Sequence, residues 1–470
     1  MISYHTSGDD IYKMPNAVSQ RFSFTQDPIY RTLVRSTVPM IIGLFTLYTF
    51  NLVDTFFIGM LGTTPLSAIS FTFPITFMIL SLAIGLGIGT SAVVARYLGA
   101  NEHEKAKQAS TVANYVAMSL AVILSLIIYL LMDSIFSAMG ASAQALGLIR
   151  DYLVVWLPAS ALLVGMTTAM SVLRACGDTK TASIVMATAG LLNALLDPLL
   201  IFGWGPIPAF GIKGAAIATL ISWLVAITYL FHCLIVKHQL VYPGLPTLSI
   251  SRTYSKEMLR IGVPASGANM LTPLAAAIMT AIAATYGESA VAAFGVGSRL
   301  ESIACLIVLA LSTTLPPFIS QNLGAGRTDR IADAFNLTAK FVLVWQLIVY
   351  VALFLLAPSI ANSFSSDTQV SDAIKLFIWI LPLGYGLQGI IILANSAFNA
   401  LHKPMAALYL SLLRFFVFYI PFAWLGSETF GLIGFYTGAL IGNLAMAWIS
   451  WRSIQKALRQ TPRVEALCEN

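Results

Sequence analysis

An all-α membrane protein, with twelve transmembrane helices in two pseudo-twofold-related six-helix lobes around a central cavity, is what this sequence predicts, and three observations carry it. The chain is 58% hydrophobic and only 10% charged, with a mean hydropathy of +0.82, whereas soluble domains carry about 25% charged residues. Its apolar runs recur at lengths of about 20 residues, enough for a helix to cross a bilayer core. The second half of the chain also repeats landmarks of the first at a fixed offset of 225 residues.

The first span, 35–59, carries Pro39, Asn51 and Asp54, and the second, 66–95, the glycines Gly85, Gly87 and Gly89. Those glycines have apolar neighbours, which suits close helix packing and not a phosphate loop. The third and fourth spans cover 110–132 and 146–172, and the fifth, 180–202, holds Asn193 and the Asp197-Pro198 pair. The sixth, 212–236, follows Gly211 and ends in a polar stretch, 237–257. Six more spans follow near 258–285, 290–319, 333–357, 372–398, 404–425 and 430–453. The domains expected are a tail of 1–34, an N-terminal lobe of 35–236, a linker of 237–257, a C-terminal lobe of 258–453 and a tail of 454–470. The first thirty residues have no apolar core, so they read as a cytoplasmic tail and not as a cleaved signal.

Lys and Arg orient the spans. With this register, all but four of the 26 basic residues, Arg414 among them, fall on the side of the termini, leaving Arg150, Lys213, Arg299 and Lys375 for the other. Both termini are therefore expected in the cytoplasm of a multi-pass plasma-membrane protein, in a bacterium the inner membrane. The net charge of +6 then reflects topology, and nucleic acid is not an expected partner. The four cysteines are widely spaced and on the reducing side or in the membrane, so neither a disulfide nor a zinc site is expected.

The offset of 225 aligns Arg35 with Arg260, Val38-Pro39 with Val263-Pro264, Leu98-Gly99-Ala100 with Leu323-Gly324-Ala325 and Ala175 with Ala400. Later the register shifts, Gly211 and Gly214 matching Gly431 and Gly434, as an insertion around Trp204–Pro208 would produce. Six spans per half is an even number, so the pseudo-twofold axis runs along the membrane normal, as in transporters whose substrate site lies between repeats.

Asp54, Asp197 and Glu301 lie within long apolar stretches, where a carboxylate costs roughly 2.5–3.5 kcal/mol and usually faces a bundle interior or a wet cavity. Asp54 and Asp197 lie nineteen and seventeen residues past Arg35 and Lys180, which sets them at similar depth. Asn51 shares a helix face with Asp54, and Asn193 with Asp197. Pro198 deletes a backbone hydrogen bond and frees a carbonyl nearby. Low dielectric and a second acid disfavour the charged carboxylate, so the group can hold a proton or a small cation. At the 225 offset Asp54 meets Met279 and Glu301 meets Thr76; the acid pair belongs to the first half alone. Glu301, two residues from Arg299, reads either as a cavity acid or as half of an interfacial pair. Tyr152 is either cavity lining or an interface aromatic.

The segments VPMIIGLFTLYTFNLVDTFFIGMLG around Asp54, VARYLGAN with its echo ISQNLGAG, VLRACGDTKTA, and LLNALLDPLLIFG followed by GIKGAAIAT resemble the multidrug and toxic compound extrusion (MATE) family of cation-coupled exporters, from Arg31 to Ser453. The resemblance is to the DNA-damage-inducible-type branch. It implies a cation site of Asp54, Asn193 and Asp197 in the N-terminal lobe, with Thr219 and Tyr152 matching further polar positions of that site. Two departures stand out. Where the family's sodium-coupled branch places an acid in the tenth helix, this chain has Tyr385, Gln388 and Asn395; and a polar position of the fourth helix is Met170.

The expected function is a secondary active antiporter, not an enzyme. It would be coupled to H⁺, or to Na⁺ held by Asp54, Asn193 and Asp197, and would export amphipathic, cationic organic compounds by alternating access. No cofactor is expected; the partners are the small-molecule substrate and membrane lipids, and a monomer suffices. From position alone, Phe73, Phe77, Tyr286, Phe294 and Tyr385, with Glu301 and Gln388, are candidates for the substrate cavity. A lipid-linked flippase or metabolite exporter of the same superfamily is the alternative, but pyrophosphate recognition asks for Arg or Lys in the cavity, and only Arg299 lies near a predicted midspan. The acid and clustered basic residues usual between the second and third helices of the major facilitator type are missing from Tyr97–Gln108. Lobe asymmetry disfavours a passive channel.

Overall fold

The computed structural model describes residues 23–460 apart from 245, and their side chains apart from those of Asn51 and Thr63. The first half forms α1 (Ile29–Met60), α2 (Thr63–Gly99), α3 (His103–Ala138), α4 (Ala143–Ala175), α5 (Thr179–Ile201) and α6 (Ile212–His232), the last running on through a π-turn, Cys233–Lys237. The second half begins with α7 (Leu248–Ala284), followed by α8 (Glu288–Ala304) and α9 (Leu306–Gly324), which form one span interrupted at Cys305. Then come α10 (Thr328–Phe364), α11 (Thr368–Ile380) and α12 (Tyr385–Ala400), the last two joined by a 3₁₀ turn, Leu381–Gly384. The final run is α13 (Pro404–Leu413), a π-turn at Arg414–Tyr419, and α14 (Ile420–Arg459). Non-helical Phe430 and Gly431 divide that run into two spans. Among the described residues eleven helical segments are long and apolar enough to cross a membrane, the last of them containing two crossings. The fold is all-helical, with two lobes and twelve crossings.

The backbone keeps the internal repeat. Helix starts at Thr63, His103, Ala143 and Thr179 recur at Glu288, Thr328, Thr368 and Pro404, each 225 residues on. Left-handed residues recur likewise: Gly62 with Gly287, Asn101 with Gly326, Gly177 with His402. The shifted pair Gly211 and Gly431 share one conformation (φ 56°, ψ −135° and φ 60°, ψ −142°). The expected insertion is a tight turn in which the backbones of Trp204 and Ile207 exchange two hydrogen bonds of 3.1 Å.

The Cys176-Gly177-Asp178 corner shows how such a turn is secured. Asp178 caps α5 by accepting from the Thr181 amide at 3.0 Å, and Lys237 Nζ and His238 Nε2 lie 2.9 and 3.0 Å from its Oδ2. Burial alone would raise the Asp178 pKa, but these hydrogen bonds outweigh it and hold the carboxyl well below the usual range.

The lobes meet chiefly through α2 against α7 and α9, and α1 against α9. These contacts lie toward the end where α1 begins. Arg96 pairs with Glu257 at 3.2 Å, the Tyr97 hydroxyl donates to the same carboxylate, and Gln321 Nε2 donates to the Ala175 carbonyl at 2.6 Å. Thr37 and Thr314 share a buried 2.9 Å bond. Backbone meets backbone at the repeated Leu-Gly-Ala turns: a Cβ on Gly99 would lie 2.0 Å from the Gln321 oxygen, and one on Gly324 would lie 2.0 Å from that of Arg96. Gly85 and Gly89 likewise seat α2 on Ser266, Gly262 and Met258 of α7, the close packing expected of them.

One placement is corrected. Arg414, counted above with the basic residues on the side of the termini, lies ten residues beyond Pro404 inside the eleventh span and is 9% exposed. Counting charges by loop assumes that basic residues sit at helix ends; this one is held within the C-terminal lobe.

Candidate functional site: the acid pair and a second polar cluster

Four helices converge on the acid pair. Asp54 comes from α1, Asn193 and Asp197 from α5, Thr219 from α6 and Tyr152 from α4. Asp197 is completely buried and Asp54 half-buried. Their carboxyls lie close enough to interact directly, and because two bare carboxylates repel, a shared proton or a cation between them would stabilise the pair. Asn193 Nδ2 donates to Asp197 Oδ1 at 3.2 Å and lies 3.4 Å from the Thr219 hydroxyl, which donates to the Ala215 carbonyl. Oδ1 of Asp54 and Oδ2 of Asp197 are buried without a protein partner. Tyr152, 8% exposed, lies close enough to both acids to feel their charge. Met170 packs in the apolar core of the lobe. The side chain of Asn51 lies outside the described residues.

The substrate-cavity candidates divide. Phe73 is 60% exposed on α2, with its ring centroid 6.0 Å from that of Phe77. Phe294 is corrected: it is buried between Phe377 and Phe435, at 6.1 Å from each, and has no face left for a ligand. The partly exposed Tyr286 donates its hydroxyl to the Ser427 carbonyl at 2.7 Å and ties the turn after α7 to α14. Glu301, Gln388 and Tyr385 come together. Gln388 Nε2 donates to Glu301 Oε1 at 2.6 Å, and the buried Tyr385 hydroxyl beside them has no partner. Arg299 is exposed and makes no ion pair with Glu301, which removes the interfacial reading.

Sequence reasoning missed the residue that completes this second cluster, Arg414, within coulombic range of Glu301 but not paired with it. The statement that only Arg299 approaches midspan is corrected with it. A signal was present in Arg-Phe-Phe-Val-Phe-Tyr, a lone cation amid aromatics eleven residues into an apolar run.

Two six-helix lobes along one repeat axis, joined at one end and holding intramembrane acids, define a membrane transporter of the two-lobe class. The chain belongs to the MatE family, whose model matches residues 39–199 and again 264–425, once per lobe; its members are secondary transporters, not enzymes. The chain is 41% identical to a protein of Shewanella oneidensis named "FAD transporter", over 91% of this chain and 95% of that one. It is 25% identical to the multidrug export protein MepA of Staphylococcus aureus, over 90% and 93%. Among solved structures, the Vibrio cholerae MATE transporter VcmN in the bent form is 36% identical, with a TM-score of 0.88 over 92% of this chain and 98% of that one.

Proposed function

We propose that this protein is a cation-coupled antiporter that exports organic compounds by alternating access. Asp54 and Asp197 hold the coupling ion, with Asn193, Thr219, Tyr152 and Asn51 around them. The single observation behind this reading is the approach of two carboxyls, each with a buried oxygen lacking a partner, in one lobe only. H⁺ is the coupling ion that fits best, because a proton satisfies both orphan oxygens without the further ligands a metal ion demands; Na⁺ is the alternative. Three features of the N-terminal lobe, Asp54, Asn193 and Asp197, support membership of the DNA-damage-inducible-type branch.

With the termini in the cytoplasm of a plasma-membrane protein, the lobes are joined at their cytoplasmic ends and the conformation is outward-facing. A proton arriving from outside neutralises the pair, and α1, which carries Pro39 near its start, rearranges against α5. Membrane potential contributes about 2.3 kcal/mol per charge per 100 mV to this step. Efflux from proteoliposomes under separately imposed pH and sodium gradients tests the reading. A pH gradient alone should drive transport, and full transport by Asp197→Asn would rule the model out.

Two substrate readings stand. Amphipathic organic cations, the class expected above, are supported by the likeness to a multidrug export protein. An anionic metabolite is supported by the higher identity to the protein named a FAD transporter and by a buried arginine facing Glu301. Transport of ethidium against FAD separates them. The protein acts as a monomer in contact with membrane lipids.

A further inference from the structure

The two lobes share helix boundaries, turns and glycine conformations, so places where one lobe alone departs from the common backbone are informative. Three such places occur in the C-terminal lobe, one of them the 3₁₀ turn Leu381–Gly384 just before Tyr385, and the other two bear most directly on one cluster. The span of α8 and α9 is interrupted at Cys305, where its counterpart in the first lobe, around Leu80, lies within the unbroken α2. The eleventh span opens into a π-turn at Arg414–Tyr419, where the counterpart, 189–194, lies within the regular helix of α5. Interrupted spans line ion and substrate sites in transporters, and single π-turns concentrate at functional sites.

Both departures face the same place. The opening at Cys305 sets Glu301 in the last turn of α8, and the π-turn begins with Arg414. Between them α12 presents Tyr385, Gln388 and Asn395. Asn395 Nδ2 donates to Ser411 Oγ at 3.0 Å while its Oδ1 is buried and unpartnered. Arg414 is nine-tenths buried and, among the described residues, makes no hydrogen bond or ion pair; its Nε is sealed from solvent. Its guanidinium lies over the rings of Phe415 and Tyr419, 4.9 and 5.9 Å from their centroids. A permanent cation within a membrane span is costly and ordinarily finds a counter-charge. Glu301 is near enough to act as one, yet Gln388 holds it back.

We propose that Arg414, Glu301, Gln388 and Tyr385 form a substrate-binding site in the C-terminal lobe that takes an aromatic organic anion bearing a phosphate or carboxylate. Arg414 anchors the anion through its free donors, a planar ring stacks beside the partly exposed Tyr419, and Gln388 with Tyr385 reads the ring's polar edge. Glu301 supplies release: once the ligand leaves, it is the carboxylate to which Arg414 can turn. This rests on the antiporter reading above and fills in its substrate.

The test is equilibrium binding to the purified full chain of three probes: FAD, riboflavin, which has the same ring without phosphates, and ethidium. The wild type should bind FAD at least about tenfold more tightly than riboflavin, because a bidentate Arg–phosphate contact is a strong charge-assisted bond. Arg414→Gln should erase that difference and leave ethidium binding no weaker, and Arg414→Lys should restore part of it. Equal affinity of the wild type for FAD and riboflavin, or unchanged FAD binding by Arg414→Gln, would overturn the proposal, and the first of these needs no variant to fold. Asp197→Asn keeps FAD binding whether or not it abolishes coupling, so failure of the ion site and failure of this site read out separately.

Discussion

The two lobes were laid down from one pattern and have been polarised differently. In the first, paired acids stand where the second has the buried, apolar Met279 and the aromatic stretch around Phe418 and Phe422. In the second, Arg414, Glu301 and Gln388 stand where the first has Ala189, Thr76 and Leu163. Helix geometry was kept around the acid pair of the first lobe, whose own π-turn, Cys233–Lys237, lies at the far end of α6. It was given up in the second, where the chemistry coincides with a π-turn and an interrupted span. On the proposed reading, the difference teaches that the common backbone serves the motion of both lobes, and that the departures around Arg414 and Glu301 mark where the second would take its substrate.

The comparison breaks most decisively at the acid pair. Asp197→Asn or Asp54→Asn should reduce pH-driven efflux from proteoliposomes to background while ligand binding survives, and retention of gradient dependence would place the coupling ion elsewhere. Next in size, Gly99→Leu should force the lobes apart where backbones touch, because a Cβ there already meets the Gln321 oxygen. Faster maleimide labelling of a Gln108→Cys reporter at the α3–α7 contact checks this; unchanged labelling would show that the crossing gives without opening. Arg414→Gln should be the converse of the aspartate variants, leaving gradient-driven exchange of a cationic dye in place while efflux of FAD falls. Asn193→Ala removes one hydrogen bond to Asp197, worth about 1.5–3 kcal/mol for a charged acceptor, and should slow transport without abolishing it, as initial rates across pH would show.

The smallest effect concerns stability. Because the folded Asp178 pKa is depressed, its contribution is present above the ordinary carboxylate value of about 4 and is lost as pH falls through the lower folded value. Asp178→Asn should therefore lower the melting temperature at pH 7, and the gap should close only in acid, below about pH 4. A gap that closes between pH 7 and 5 would assign the effect to another group.

Much of this architecture was legible in the sequence. Span positions follow from length and hydropathy, and the repeat from pairs such as Gly99 and Gly324. Asp54 and Asp197 could be matched in depth because each helix carries a basic residue near its start. What could not be read depended on departures from regular helix or on packing between distant segments. Arg414 was counted with the loops because basic residues ordinarily sit at helix ends, although its place inside the run 404–425 was visible, and the π-turn it opens was not. Phe294 looked available because an aromatic in an apolar run gives no sign of whether it meets Phe377 or a ligand. The crossing of Gly99 with Gly324 was visible as a repeated motif, but the repeat alone does not show that the two turns touch.

That crossing sets a condition on speed. Any movement that parts the lobes at this end must separate bare peptide from bare peptide at the two glycines, where no side chain has to be re-ordered, and break the flanking Arg96–Glu257 and Gln321–Ala175 bonds, whose long side chains do. The glycine crossing itself adds no rotamer loss to such a return, so on the proposed reading the halves re-engage in register on a rigid backbone seat. A single methyl group at either glycine would turn this frictionless seat into a wedge.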